Sequence, residues 1–171
     1  AALVYLGTCF FEGTNVSEGR GTDAPFLMVG APFIDAERWV AELASLEIAG
    51  VAFTPISFTP QPNFGAAHPK FEGEQCHGVR IMVTDRQAFR PVRMGLAMLW
   101  TLARLHSSDF EIGERSGHFD RLWGTTQVRE HLARVQAGGE DSWQTLAARG
   151  QAGEEAFWRR AQTYLLCEEA P

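Results

Sequence analysis

The apolar positions along this chain fall into one unbroken run, two strand-like alternations and several helical stripes. Residues 3–11 (LVYLGTCFF) form the run, rich in aromatic and branched side chains, and predict a buried strand with Gly7 as its weak point. The pattern then breaks. Residues 12–22 (EGTNVSEGRGT) hold three glycines, three charged residues and one apolar residue, which predicts a loop with strong backbone demands. Asp35 is placed to cap a helix, with Ile34 stapling onto Trp39. Trp39, Val40, Leu43 and Leu46 recur at helical spacing, and Gly50 supplies the stop.

Residues 51–58 (VAFTPISF) alternate but slip phase at Pro55, which predicts an edge or bulged strand. Residues 59–78 carry three prolines and no period, the signature of a functional loop or lid. Then Val79, Ile81 and Val83 share one strand face, and Arg80, Met82 and Thr84 the other. A helix opens at Pro91 and runs through Leu96, Leu99, Trp100, Ala103 and Leu105. The last third reads as three helices: one capped at Thr125 with Val128, Leu132 and Val135 inward, one capped at Ser142, and a last one aligning Phe157, Ala161, Tyr164 and Leu165. The expected class is α/β (α+β): a small mixed sheet packed by helices, with a helical C-terminal third, in one domain over 1–171.

Composition narrows the function. The 171 residues are 45% hydrophobic and 21% charged, ordinary for a globular chain able to build a core. A net charge of −6 argues against nucleic acid as a partner, and no apolar run reaches the length of a membrane span. No targeting segment is visible, and the absence of an initiating Met predicts a processed or truncated product. The basic residues are 14 Arg and one Lys, Lys70, a bias that reads as codon usage. Cys9, Cys76 and Cys167 fit no disulfide framework and no metal knuckle; buried free thiols are expected, with a Cys9–Cys76 bridge as the alternative.

The densest polar constellation is the 12–22 loop. Glu12 and Glu18 can be bent towards one site, as acid and base or as acceptors for sugar hydroxyls. Arg20 offers a planar fork to a carboxylate ligand or to either glutamate. Thr14, Asn15, Ser17 and Thr22 add neutral donors and acceptors, and Gly19 and Gly21 suit positive φ or close approach to a ligand. The competing reading is a self-satisfied turn. No histidine pair has metal spacing: His68 and His77 read as surface residues, His106 and His131 as structural, and His118 adjoins Asp120 and Arg121, which brace a helix. Ser17 lacks a nucleophile elbow, and Asp85 reads as a loop brace. Phe58, Phe64 and Phe71 can line a sugar platform or pin their loop.

The block GTCFFEGTNVSEGRGT, followed by GAPFIDA, VAFTPISFTP, GEQCHGVRIMVTD, FRPVRMGLAML and FDRLWGT, resembles the C-terminal half of the NamZ/YbbC-like exo-β-N-acetylmuramidases. The resemblance covers nearly the whole chain. It implies an auxiliary half whose Rossmann-like N-terminal partner, carrying the family's proposed catalytic glutamate, lies outside this sequence, with the active site in the cleft between them. The implied reaction releases N-acetylmuramic acid from non-reducing ends of peptidoglycan fragments, with no metal and no cofactor. The implied partners are a peptidoglycan-derived saccharide and that N-terminal half.

By the same resemblance Glu12, Asn15, Glu18 and Arg20 face the cleft, and the lactyl carboxylate of muramic acid becomes a partner for Arg20. Two departures stand out: His77 falls where the pattern is loose, and the tail after Leu166 lacks an aromatic. The expected role is substrate positioning, with Glu12 or Glu18 assisting proton chemistry. The alternative is a non-catalytic glycan- or protein-binding module. Localisation by substrate is extracytoplasmic, periplasmic or secreted, with a cytoplasmic site left open.

Overall fold

The computed structural model describes residues 2–113 and 116–165. The elements run in the order α1 (Ala2–Thr8), a 3-10 turn (Cys9–Gly13), β1 (Met28–Ala31), α2 (Ala36–Ser45), β2 (Val51–Phe58) and β3 (Cys76–Val83). Then follow α3 (Pro91–Leu105), α4 (Ser116–Trp123), α5 (Gln127–Gln136), α6 (Trp143–Ala161) and a short 3-10 turn (Gln162–Tyr164). This is the α+β class read from the sequence. The sheet, expected as mixed, has three strands in the order β1-β3-β2, antiparallel throughout.

Residues 3–11 correct the sequence reading: they form a helix and a 3-10 turn, not a strand. The deciding contact is remote. A Cβ on Gly7 would stand 2.1 Å from the Pro91 carbonyl oxygen, and one on Gly95 would stand 2.3 Å from that of Gly7. Two glycines therefore let α1 and α3 pack backbone to backbone, burying Val4, Gly7 and Thr8 at helical spacing. A short apolar run is ambiguous by period alone, and here the tertiary contact selects the helix.

Elsewhere the local signals hold. The Asp35 carboxylate accepts from the Arg38 N–H at 3.1 Å and caps α2. That helix ends at Ser45, a turn before Gly50, whose φ of 75° belongs to the turn into β2. Pro55 sits opposite Val79 on edge strand β2, where its missing N–H breaks no ladder. Pro91 opens α3, which is buried from Met94 to Ala103 and forms the spine of the core. Beside it the Trp39 indole N–H donates to the Thr101 hydroxyl at 2.8 Å, so the largest fully buried side chain is also satisfied.

The C-terminal third is helical as expected, with two differences. The helix capped at Ser142 and the one through Phe157 are a single 19-residue α6, and Phe157, Trp158, Tyr164 and Leu165 are exposed. Short strand β1 and helix α4 carry too few patterned residues to be read from sequence. Cys9 and Cys76 are free thiols, and Cys167 lies outside the described residues. Among the described residues no helix is long and apolar enough to cross a membrane.

Candidate functional site

The 12–22 loop is held at three points, each reaching a different part of the fold. Asn15 clamps the segment after α3: its Nδ2 donates to the Asp109 carbonyl (2.7 Å) and its Oδ1 accepts from Glu111 N–H (2.9 Å). Ser17 pairs antiparallel with Gly30 through two backbone bonds of 2.8 and 3.0 Å, which extends the β1 edge and fixes the backbone next to Glu18. The third anchor is Lys70, from the long stretch before β3.

Lys70 is the member of this network that the sequence pattern did not single out. Its Nζ donates to the carbonyls of Phe11 (2.7 Å) and Val16 (2.9 Å) and to Glu18 Oε2 (3.0 Å). Three oxygens converging from different directions suit a compact ammonium better than a planar guanidinium. The signal was present as the single lysine in a chain whose other 14 basic residues are Arg.

Arg20 joins the two glutamates. Its Nε lies 3.2 Å from Glu18 Oε1 and its Nη2 3.5 Å from Glu12 Oε1. Its guanidinium also lies over the Phe26 ring at 4.9 Å, and Tyr5 meets that ring edge-on at 4.7 Å. Phe26 holds a φ of 65°, a conformation an L residue seldom adopts, so the surroundings fix the platform under Arg20. Two carboxylates thus face two cations in one network. Glu18 is its buried end, 4% exposed, and Arg20 its open end. Nearby, burial and then the Glu12 carboxylate raise the Cys9 thiol above its ordinary pKa.

The structure brings Glu12, Glu18 and Arg20 together, sends Asn15 to the segment after α3, and turns the hydroxyls of Thr14, Ser17 and Thr22 onto the loop and its immediate neighbours. Thr14 Oγ1 donates to the Phe11 carbonyl (2.9 Å) and accepts from Val16 N–H (3.1 Å). Ser17 Oγ accepts from Gly19 N–H, and Thr22 Oγ1 donates to the Gly19 carbonyl and accepts from Ala24 N–H. Gly19 and Gly21 have φ of 76° and 81°, and a Cβ there would meet the carbonyl oxygens of Met28 (2.6 Å) and Gln61 (2.7 Å). Those glycines serve the chain's own close packing.

The 59–75 stretch lies against this loop, with Gln61 N–H donating to the Gly21 carbonyl at 2.9 Å. Its aromatics do not form one platform: Phe58 is buried with Ala24, Met28 and Cys76, Phe64 is fully exposed, and Phe71 lines a shallow cavity of about 370 Å3 with Thr14, Asn15 and Lys70. Of the other residues weighed, Asp85 braces its turn by accepting from Gln87 and Ala88 N–H. His77 pairs with Ser57 across β2 and β3, Nδ1 to Oγ at 2.9 Å. Asp120 holds Arg129 through a bidentate contact, and His106 and His131 are buried.

The family model for the C-terminal part of exo-beta-N-acetylmuramidase NamZ matches residues 3–166. The chain belongs to this NamZ C-terminal family. The match takes in the whole 12–22 loop, Lys70 and every element from α1 to α6. A curated relative, the peptidoglycan beta-N-acetylmuramidase NamZ of Bacillus subtilis (strain 168), is 43% identical over 132 residues. That match covers 77% of this chain and 30% of the relative, so the chain spans well under half of that protein's length.

Two crystal structures of DUF1343 family proteins from Bacteroides fragilis share the fold. One superposes with a TM-score of 0.83 at 21% identity, covering 98% of this chain and 42% of the other. The second gives 0.67 at 26% identity, covering 98% and 41%.

Proposed function

We propose that this chain is the cleft-forming, substrate-positioning portion of an exo-acting glycoside hydrolase that releases N-acetylmuramic acid from non-reducing ends of peptidoglycan fragments. In this reading the chain is one domain, and a Rossmann-like N-terminal half of the same protein supplies the other wall and the main catalytic carboxylate. The observation that carries it is the match of residues 3–166, which hold the Glu12–Glu18–Arg20–Lys70 network, to the C-terminal family of an exo-β-N-acetylmuramidase. A peptidoglycan-derived substrate favours an extracytoplasmic site, periplasmic or secreted, over a cytoplasmic one.

The network divides the labour. Glu18, buried between Arg20 and Lys70, orients the fork. Glu12 holds Arg20 by the longer contact and is the more exposed carboxylate. A ligand carboxylate, such as the lactyl group of muramic acid, would take the Glu12 place on Arg20 and leave Glu12 beside the sugar, to accept its hydroxyls or assist proton transfer. Thr14, Asn15, Ser17 and Thr22 hold the loop in shape for this exchange.

The test is Arg20→Ala in a chain carrying both halves. Loss of one charged hydrogen bond should weaken muramic-acid affinity by about 10-fold or more. Unchanged affinity means that the fork does not meet the substrate. A second reading, a non-catalytic glycan- or protein-binding module, is favoured by the inward-turned hydroxyls and by the burial of Glu18. Under it, Glu12→Gln would lower binding and turnover together, whereas a chemical role for Glu12 would cost turnover with binding intact.

A further inference from the structure

Helix α1 has no charged side. None of its seven residues, Ala2–Thr8, carries a charge. Val4, Gly7 and Thr8 are buried on the side that crosses α3. Ala2, Leu3, Tyr5 and Leu6 make up the opposite side and are exposed, Tyr5 at 41% and Leu6 at 52%. The exposed sides of α2 and α5 carry Glu37, Arg38, Glu130 and Arg134 instead. A helix that is apolar all round is the pattern of an element covered on both sides, and contiguous exposed apolar side chains mark a contact surface.

This face runs into the charge network through Phe26. The Tyr5 ring meets Phe26 edge-on at 4.7 Å, and the Arg20 guanidinium lies over the same ring at 4.9 Å. Phe26 is held on two sides. Its N–H donates to the Glu18 carbonyl at 2.7 Å, and its carbonyl accepts from the Thr8 hydroxyl at 3.1 Å. One bond ties it to the loop and the other to α1, and together they hold its left-handed φ of 65°. Tyr5, Phe26 and Arg20 therefore form one strip, from the apolar face of α1 to the open end of the network.

We propose that the exposed face of α1 is the docking surface for the upstream half of the same polypeptide, which meets it through an apolar patch. The inference rests on the two-half reading above. The match to the Bacillus subtilis relative takes in 30% of that protein, and the second Bacteroides fragilis structure matches 98% of this chain with 41% of its own length. The matching family is the C-terminal part of its enzyme, so the rest of such a protein precedes α1. Because α1 is the first element of the fold, a half joined ahead of it is tethered beside Leu3 and Leu6 at high effective concentration. Seated there, it borders Arg20 across Tyr5 and Phe26, and the cleft opens at the network.

Hydroxyl-radical footprinting, read by mass spectrometry, compares this chain with the protein carrying both halves. Oxidation of Leu3, Tyr5 and Leu6 should be retained in this chain and lost in the joined protein. Phe157 and Tyr164, the exposed aromatics of α6 and the turn after it, should stay labelled in both. Leu6→Glu should leave the thermal melt of this chain in place and restore Tyr5 oxidation in the joined protein, because a carboxylate resists burial without a partner. Equal oxidation of Tyr5 and Leu6 in both proteins, or protection found at Phe157 and Tyr164 instead, overturns the assignment. So does protection in this chain alone that grows with concentration, the mark of a second copy on the face. Protection of α1 in a joined protein that releases no N-acetylmuramic acid upholds the surface and overturns the glycan reading; turnover with α1 still labelled does the reverse.

Discussion

Glu18 and Glu12 are alike in type and only six residues apart, yet the fold gives them different work. Glu18 accepts from Lys70 and faces Arg20 at 4% exposure, so Glu18→Gln leaves two cations without their shared anion and should cost about 2–4 kcal/mol in urea unfolding. Glu12→Gln breaks one exposed contact and should cost about 1 kcal/mol or less. Equal losses would contradict that division. The sequence showed that Glu12, Glu18 and Arg20 could converge. It did not show Lys70, because the chain segment that delivers it has no period from which a direction could be read.

Cys76 offers a titration at the same scale. Burial, and secondarily the Glu74 carboxylate, pushes its thiol up to about 12. The fold thus favours the neutral thiol, a contribution intact below the ordinary thiol pKa of about 8.5 and lost as pH climbs towards 12. Urea midpoints should fall more steeply between pH 8 and 10 for the native protein than for Cys76→Ala. Parallel slopes would contradict the buried-thiol account.

At the scale of elements, the crossing of α1 and α3 depends on two missing side chains. Gly95→Ala would drive a Cβ to 2.3 Å from the Gly7 carbonyl oxygen, where only backbone can yield, and should destabilise by about 1–3 kcal/mol. Gly153→Ala, in exposed α6 with nothing within 4 Å, should instead stabilise by up to about 1 kcal/mol. Thermal melts of the two variants should move in opposite directions; movement in the same direction would show that helix propensity, not the close crossing, dominates.

This pair also explains what could be read beforehand. Elements whose information is local were legible: the Asp35 cap, the Pro55 edge strand, the alternation over Val79–Val83, the Pro91 start. The α1 run was not, because the residue that makes it a helix is Gly95, in another element. The long α6 was read as two helices because Gly150 and Gly153 weaken a pattern that has no core contact in its second half to restore it.

At the scale of the molecule, the chain combines a rigid α3 core with a polar loop clamped from three directions. The open end of its charge network, Arg20 on Phe26, reaches solvent. In the proposed reading this surface positions a ligand and a facing group does much of the chemistry; the solved structures that share the fold are more than twice the length of this chain. In the proposed reading the reaction needs both walls. Release of N-acetylmuramic acid from a chromogenic β-glycoside tests it most directly, with the chain alone and then with the upstream half supplied. No turnover by the chain alone, and turnover once that half is added, is the predicted result. Turnover by the chain alone would show that one wall suffices and place the chemistry on Glu12 and Glu18.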